Sequence, residues 1–439
     1  MHSLTNNSEE KEIPSPAQTH ETSSNIHSSV ISSSAGRSEG ETHESNADLT
    51  ALAEAPKQAS WLKWQESFTS VLPIFIATRL AFLILTYGAA LFTLGNFSTK
   101  SLRLNTLLYS WFRWDSGHFT SIATRGYDRP YRTAFFPLFP LLERGLAFLT
   151  HDPFIAGLII SNLTCLMMFT VLYRLVQEDF DADRAYRTVL YFSVFPTAFF
   201  FAAAYNESLF LCCALLSFYY MRQGHWWLAG LFGLLASLTR SAGLLLLLPF
   251  FYEYLRQRRF KLHTIRFDML AAMGIPAGLG IFALYCYFRF HDPLAFSHAQ
   301  STWHRHLHAP WRGMLDSYQL ITQRSILSFD SIHNVIDLVA GLFMLIVIVL
   351  CFIGPWKFSR DHWIYGIYAV AFYIFLLLFL SDSTFPLQSL SRLVLELFPA
   401  FIVLAGIGKN RHFNLYYLTL SVTLLAFMLL LFLTGRWMV

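Results

Sequence analysis

Residues 207–255 read ESLFLCCALLSFYYMRQGHWWLAGLFGLLASLTRSAGLLLLLPFFYEYL. Glu207, Arg222, Arg240 and Glu253 are the only formal charges in the stretch, which they divide into apolar runs at 207–221, 226–239 and 241–255. A helix that crosses a bilayer needs about 20 mostly apolar residues, so runs of this kind, repeated along a chain, predict a polytopic membrane protein. The pattern recurs near 70–94, 154–175, 186–204, 269–288, 335–353, 363–380, 391–408 and 413–433, eleven candidate segments in all. A further stretch, 134–149, is short and interrupted by two prolines and an arginine, and reads as a broken or re-entrant helix. Several of the eleven fall short of a full span, so their ends must extend into flanks or lie buried in a bundle.

Composition agrees. The 439-residue chain is 54% hydrophobic and only 14% charged, against about 25% charged in an ordinary soluble domain. Aromatics reach 17%, 43 of them Phe. Residues 1–60 stand apart: three basic and nine acidic residues give net charge −6, with no aromatic and many Ser, Thr, Asn and His. Such a stretch cannot bury enough apolar surface to offset its ordering entropy, and it predicts a disordered cytoplasmic tail. It lacks the basic start and apolar run of a signal peptide. The remaining membrane domain, 61–439, carries 29 basic and 19 acidic residues, +10, a balance suited to phosphate, lipid headgroups and the cytoplasmic leaflet rather than to nucleic acid. Cys165, Cys212, Cys213, Cys286 and Cys351 all sit in apolar runs and read as small core residues.

Short cytoplasmic loops concentrate Lys and Arg. With the tail inside, the inner loops are 176–185, 222–225, 256–268, 354–362 and 409–412, and six of the seven lysines fall inside. Two long loops, 95–133 and 289–334, then lie outside, with the turns at 205–207, Arg240 and 381–390.

These outer segments hold the polar residues that topology does not explain. The first loop contains RWDSGHF (113–119), ATRGYD (123–128) and AFFPLFP (134–140). On a helix, Asp115 and His118 are three apart and share a face, where a carboxylate and an imidazole can take or orient the proton of a hydroxyl acceptor. The alternative is that Asp115 caps an interfacial helix anchored by Trp111 and Trp114. In FPTAFFFAAAYNESLF (195–210), Glu207 sits where two spans meet. An acid there costs roughly 2.5–3.5 kcal/mol or more in the bilayer, so it needs a cavity or a partner Arg. Arg240 in LASLTRSAGL and Arg392 in SLSRLVLELFP are placed to grip a phosphate through their planar guanidinium groups. Arg79, in the first span, is a weaker case of the same kind, since arginines near helix ends snorkel. In DPLAFSHAQSTWHRHLH (292–308), Gln300, Trp303 and Arg305 suit a polar pocket for a sugar or headgroup. His304, His306 and His308 share a face only in an extended strand and have no carboxylate among them, which argues against a metal site. There is no Walker A sequence, no GxGxxG opening a helix and no HExxH.

The RWDSGHFTSIATRGY and AFFPLFP pair, FPTAFFFAAAYNESLF, LASLTRSAGL, DPLAFSHAQSTW and SLSRLVLELFP, in that order, resemble the PIG-V family of GPI second mannosyltransferases and its bacterial relatives. The resemblance runs from about residue 70 to 408. It implies a GT-C glycosyltransferase, a bundle with long outer loops that uses a polyprenyl-phosphate sugar, typically dolichyl-phosphate mannose, and no other cofactor. It further implies an extracytoplasmic or lumenal site with Asp115 as the acid–base residue and a glycolipid or glycan acceptor. Arg113, Trp114, Asp128, Glu207, Arg240, Gln300, Trp303 and Arg392 are then the substrate-binding candidates, and His118 assists Asp115. The chain departs from the family pattern at Asp128, which is followed by Arg129 and Arg132, and at Leu393, where the family has an aromatic. The membrane is the plasma membrane for a bacterial host and the endoplasmic reticulum for a eukaryotic one. The rival readings are a lipid-linked sugar transporter or flippase, against which the sequence offers no internal repeat, and a silent homologue acting as a subunit.

Overall fold

The computed structural model describes residues 44–93, 103–381 and 383–436; of the expected tail, 1–60, residues 1–43 lie outside the described residues. The chain is helical from the start of α1 (Glu44–Thr93), which begins inside the stretch whose composition predicts disorder. It continues through α2 (Leu104–Tyr109), α3 (Asp115–Arg125), α4 (Leu138–Thr150), α5 (Pro153–Asp179), α6 (Ala182–Ser193), α7 (Glu207–Arg222) and α8 (Trp226–Thr239). There follow α9 (Leu247–Gln257), α10 (Gly274–Phe290), α11 (Ala295–His298), α12 (Arg312–Gln323), α13 (Phe329–Leu350) and α14 (Trp363–Leu378). The short α15 (Leu390–Leu393), α16 (Phe398–Ile407) and α17 (Arg411–Leu433) close the chain. A two-stranded antiparallel ribbon, β1 (Arg305–Leu307) with β2 (Phe379–Ser381), pairs Arg305 with Ser381. The protein is an all-α polytopic membrane protein.

Local chemistry sets the helix starts. Asp152, followed by Pro153, accepts from the backbone N–H groups of Phe154 and Ile155 at the head of α5, and Asn410 does the same for His412 and Phe413 at α17. Such caps satisfy amide groups that the first turn leaves without partners.

Of the eleven candidate segments, six lie in helices long and apolar enough to cross a membrane: Trp61–Phe92, Pro153–Asp179, Phe267–Phe290, Phe329–Leu350, Arg360–Leu378 and Arg411–Leu433. A seventh, 391–408, is a pair of helices bent by 82°, Leu390–Glu396 and Phe398–Ile407. The other four are shorter pieces, which corrects the reading of eleven separate spans. The segment 186–204 breaks at Pro196, which cannot donate a helical hydrogen bond, and resumes as a single 3-10 turn at Ala198–Phe201. The segment 241–255 opens as a 3-10 turn and becomes α9 only at Leu247. In α7 nearly every residue is buried, as is all of α16 up to Gly406, so there the apolar character reflects packing against protein; α8 and α9 keep Trp227, Leu231 and Leu248 exposed. The long helices likewise present apolar side chains at the surface, Ile84, Phe288 and Tyr416 among them.

Helices α8 and α10 approach closely through Gly230, Gly274 and Gly278; a Cβ on Gly274 would lie 2.7 Å from the Gly230 carbonyl. Small residues permit this approach where no water drives helices together.

Candidate active site

Segments of both outer loops, the turn at 205–206, the junction at 239–245 and the segment 386–396 converge on one cavity of about 710 Å³. These are the regions that charge threading places on one face. The cavity has two characters. Asp115, His118, Gln300, Trp303, Arg240, Arg305, Arg392 and Glu396 make it polar at one part, and Leu244, Leu245, Leu279, Phe372, Phe375 and Leu376 line it with hydrocarbon at another.

Asp115 is the first residue of α3, and the backbone before it turns sharply: Trp114 has φ +40°, in the left-handed region. Non-glycine residues held there cost of order 1–3 kcal/mol and persist where the surroundings enforce them. Here the Trp114 ring packs against Phe432 at 5.2 Å, and the carbonyl of Arg113 accepts the hydroxyl of buried Tyr205 at 3.0 Å. The turn delivers the Asp115 carboxylate to Arg392, whose Nη1 donates to it at 2.7 Å. Arg392 also donates from Nε to Glu207 at 2.6 Å and lies over the rings of Phe200 and Tyr205. Arg240 pairs with Glu396 and stands 3.6 Å from Glu207. Glu207, fully buried, therefore joins two guanidinium groups beneath the cavity.

A third guanidinium completes the cluster. Arg305, on β1, donates to the Gln388 carbonyl at 3.4 Å, and among the described residues no carboxylate pairs with it. Burial pushes its pKa down to about 10; nearby Asp115 opposes the fall, while Arg240 and Arg392 add to it. It stays charged at neutral pH and, of the three, is the one whose charge is least engaged by the protein.

His118, one turn along α3 from Asp115, stacks on Phe135 at 4.6 Å with Trp303 edge-on at 6.0 Å. Burial lowers its pKa below the ordinary 6.5; Asp115 pulls it back up and Arg132 pushes it further down. A neutral imidazole follows at pH 7.

The structure thus gathers Trp114, Asp115, His118, Arg240, Gln300, Trp303 and Arg392 around one cavity, with Glu207 below it. It directs two candidates elsewhere. The Arg113 guanidinium donates to the Leu433 carbonyl at 2.7 Å, at the end of α17, and Asp128 pairs with Arg132 at 2.6 Å; neither lines the cavity. Arg79 donates to Asn162 at 2.6 Å, within the bundle. Among the described residues no group of three or more His, Cys, Asp or Glu is placed to hold a metal ion. Glu396 was not singled out by sequence reasoning; a lone acid in the apolar run LVLELF was its signal.

The fold and cavity define a multi-pass membrane protein with a charged chamber walled partly by hydrocarbon. Residues 96–304 match the family described as Mannosyltransferase (PIG-V). The GPI alpha-1,6-mannosyltransferase 2 of Rattus norvegicus is 33% identical over 156 residues, 32% of this chain and 31% of that protein. The GPI mannosyltransferase 2 of Yarrowia lipolytica is 29% identical over 192 residues, 42% of this chain and 52% of that protein. The chain therefore spans from under a third to about half of the length of these curated relatives. Among solved structures, ArnT from Cupriavidus metallidurans bound to undecaprenyl phosphate aligns with 75% of this chain and 74% of its own, at 14% identity and a TM-score of 0.47.

Proposed function

We propose that the protein is an inverting mannosyltransferase of the GT-C type that moves mannose from a polyprenyl-phosphate donor to a hydroxyl of a glycolipid or glycan, a step of the kind made in GPI-anchor synthesis. The observation that carries this reading is the Asp115 carboxylate, aimed into the cavity by a strained turn and held beside three guanidinium groups. In the single displacement, Asp115 takes the proton of the acceptor hydroxyl while its oxygen forms a bond to the anomeric carbon. The bond from that carbon to the phosphate oxygen breaks, and the electron pair leaves on the phosphate. Neutral His118 orients the acceptor hydroxyl beside Asp115, and the Trp303 ring offers an apolar face to a sugar.

The leaving phosphate passes from a singly charged diester to a doubly charged monoester, and preorganised donors aimed at that developing charge stabilise it most effectively. Arg305 is the first such donor, because Arg392 and Arg240 are already engaged by carboxylates. A donor phosphate arriving between Arg305 and Arg392 competes with Asp115 for Arg392 and so frees the carboxylate for the acceptor. Glu207 holds Arg392 and Arg240 in place. Guanidinium groups supply the charge, so the reading calls for no resident metal or other cofactor. The apolar wall is suited to the prenyl chain. The site faces the lumen in an endoplasmic reticulum and the outside in a bacterial plasma membrane, which are topologically equivalent.

The test is transfer of labelled mannose by purified, reconstituted protein to a lipid and glycan extract, with polyprenyl-phosphate mannose or nucleotide-linked mannose as donor. Product from the lipid-linked donor alone is expected; product from the nucleotide sugar alone would overturn the proposal.

A further inference from the structure

Helix α13 carries a polar stripe through an otherwise apolar span. His333, Asp337 and Gly341 recur every fourth residue, so they share one face. Asp337 and His333 are both almost wholly buried. Neither residue lines the cavity. A carboxylate inside a span is costly and marks a task by default, and nothing in the transfer step uses this one.

Its partner lies in the chain segment that carries Arg392. The Asp337 Oδ1 accepts the backbone N–H of Ser391 at 2.8 Å, and the carbonyl of the same residue accepts the Thr197 hydroxyl at 2.8 Å. Ser391, the residue before Arg392, is therefore held at both its amide and its carbonyl. The rest of the stripe grips the approach to it. The His333 ring stacks on Phe385 at 4.2 Å and its Nε2 lies 3.4 Å from Asp337 Oδ2. Asn334, beside His333, donates to the Thr384 carbonyl at 3.0 Å. At Gly341 a Cβ would stand 2.8 Å from the Leu390 side chain, so the missing side chain lets this segment seat against α13. Ser389, with φ +67°, turns the chain into α15 just before the clamp.

We infer that Asp337, supported by His333, is a positioning residue that fixes the Arg392 guanidinium between Asp115 and Glu207 by anchoring the Ser391 amide. The inference rests on the transferase reading for its effect on rate, but its geometric half stands on the chain alone. Misplacing a group by about 1 Å at a reacting centre can cost on the order of 100-fold. Asp337→Ala removes the acceptor; Asp337→Asn keeps an oxygen in the same place.

Hydrogen exchange across 385–396 is measured in the full-length reconstituted protein, together with kcat and KM for mannose transfer. Asp337→Ala should speed exchange in that segment and lower kcat by about 10- to 100-fold, with a smaller change in acceptor KM. Asp337→Asn should restore both readouts to near wild type. Unchanged exchange at 385–396 in Asp337→Ala would overturn the inference, as would faster exchange with unaltered kcat. Equal loss of kcat in the Asn and Ala variants would also overturn it, since that is the mark of a merely structural charge. Should Asp337→Ala fail to fold, Asp337→Ser, whose hydroxyl is too short to reach the Ser391 N–H, makes the same comparison. Wild-type protein that transfers no mannose would count against the transferase reading, while the exchange result would still decide the anchor.

Discussion

Replacing Glu207 by Gln removes the negative centre of a buried cluster and leaves its positive partners in place. Glu207 is fully buried, 2.6 Å from Arg392 Nε and 3.6 Å from Arg240. Two unit charges 3.6 Å apart attract by roughly 4–5 kcal/mol at an effective dielectric of 20, and desolvation offsets part of that in the intact protein. Breaking a buried pair from one side nevertheless costs about 3–5 kcal/mol, because the remaining charge is stranded. In domains of about 150–250 residues each kcal/mol moves Tm by roughly 2–4 °C, so a fall on the order of 10 °C is expected. Thermal unfolding of the purified protein in detergent, followed by tryptophan fluorescence, reads it. Adding Arg240→Gln returns the cluster of Arg240, Arg305 and Arg392 with Asp115, Glu207 and Glu396 to charge balance, and should recover part of the loss. A Glu207→Gln protein that melts within about 2 °C of wild type would refute the reasoning.

Arg305→Gln should weaken the hold on the donor phosphate by about 1.5–3 kcal/mol, the value of a hydrogen bond to a charged group, seen as a roughly 10- to 100-fold higher donor KM with the fold intact; an unchanged KM would remove Arg305 from the phosphate site. His118 has its pKa lowered by burial below 6.5, so as pH falls through 6.5 the unfolded chain binds the proton before the folded one does, and stability falls with it. The drop in Tm between neutral pH and the window just below 6.5 should shrink in His118→Phe, and an identical pH dependence in the two proteins would contradict the burial of a neutral imidazole.

Much of this was legible in the sequence because the bilayer demands it. The long apolar runs of α5, α13 and α17 identify spans since only a helix can satisfy its backbone in lipid. Hydropathy does not separate a residue facing lipid from one facing protein, and so α7 and α16, buried on almost all sides, read as spans of the same kind. Asp115, Glu207, Arg240 and Arg392 are charges beside apolar runs that need a reason, and their ion pairs bring all four together at the cavity or just below it. Arg113 and Asp128 enter through the family resemblance, yet their partners, the Leu433 carbonyl and Arg132, are supplied by folding or by a local turn. Asp337 went unread although the same signal marks it, since its importance lies in a hydrogen bond to a residue 54 positions away. The special place of Arg305 was beyond sequence too: it depends on which arginines the carboxylates have already taken.

The central claim is that Asp115 takes the acceptor proton. The most direct test compares wild-type protein with Asp115→Asn, a change of one atom type, in transfer of labelled mannose from polyprenyl-phosphate mannose, with donor binding and Tm measured alongside. The account predicts a loss of kcat of about 100- to 10,000-fold, the usual range for a positioned general base, with the protein folded and the donor still bound. Transfer at the wild-type rate by folded Asp115→Asn would contradict it.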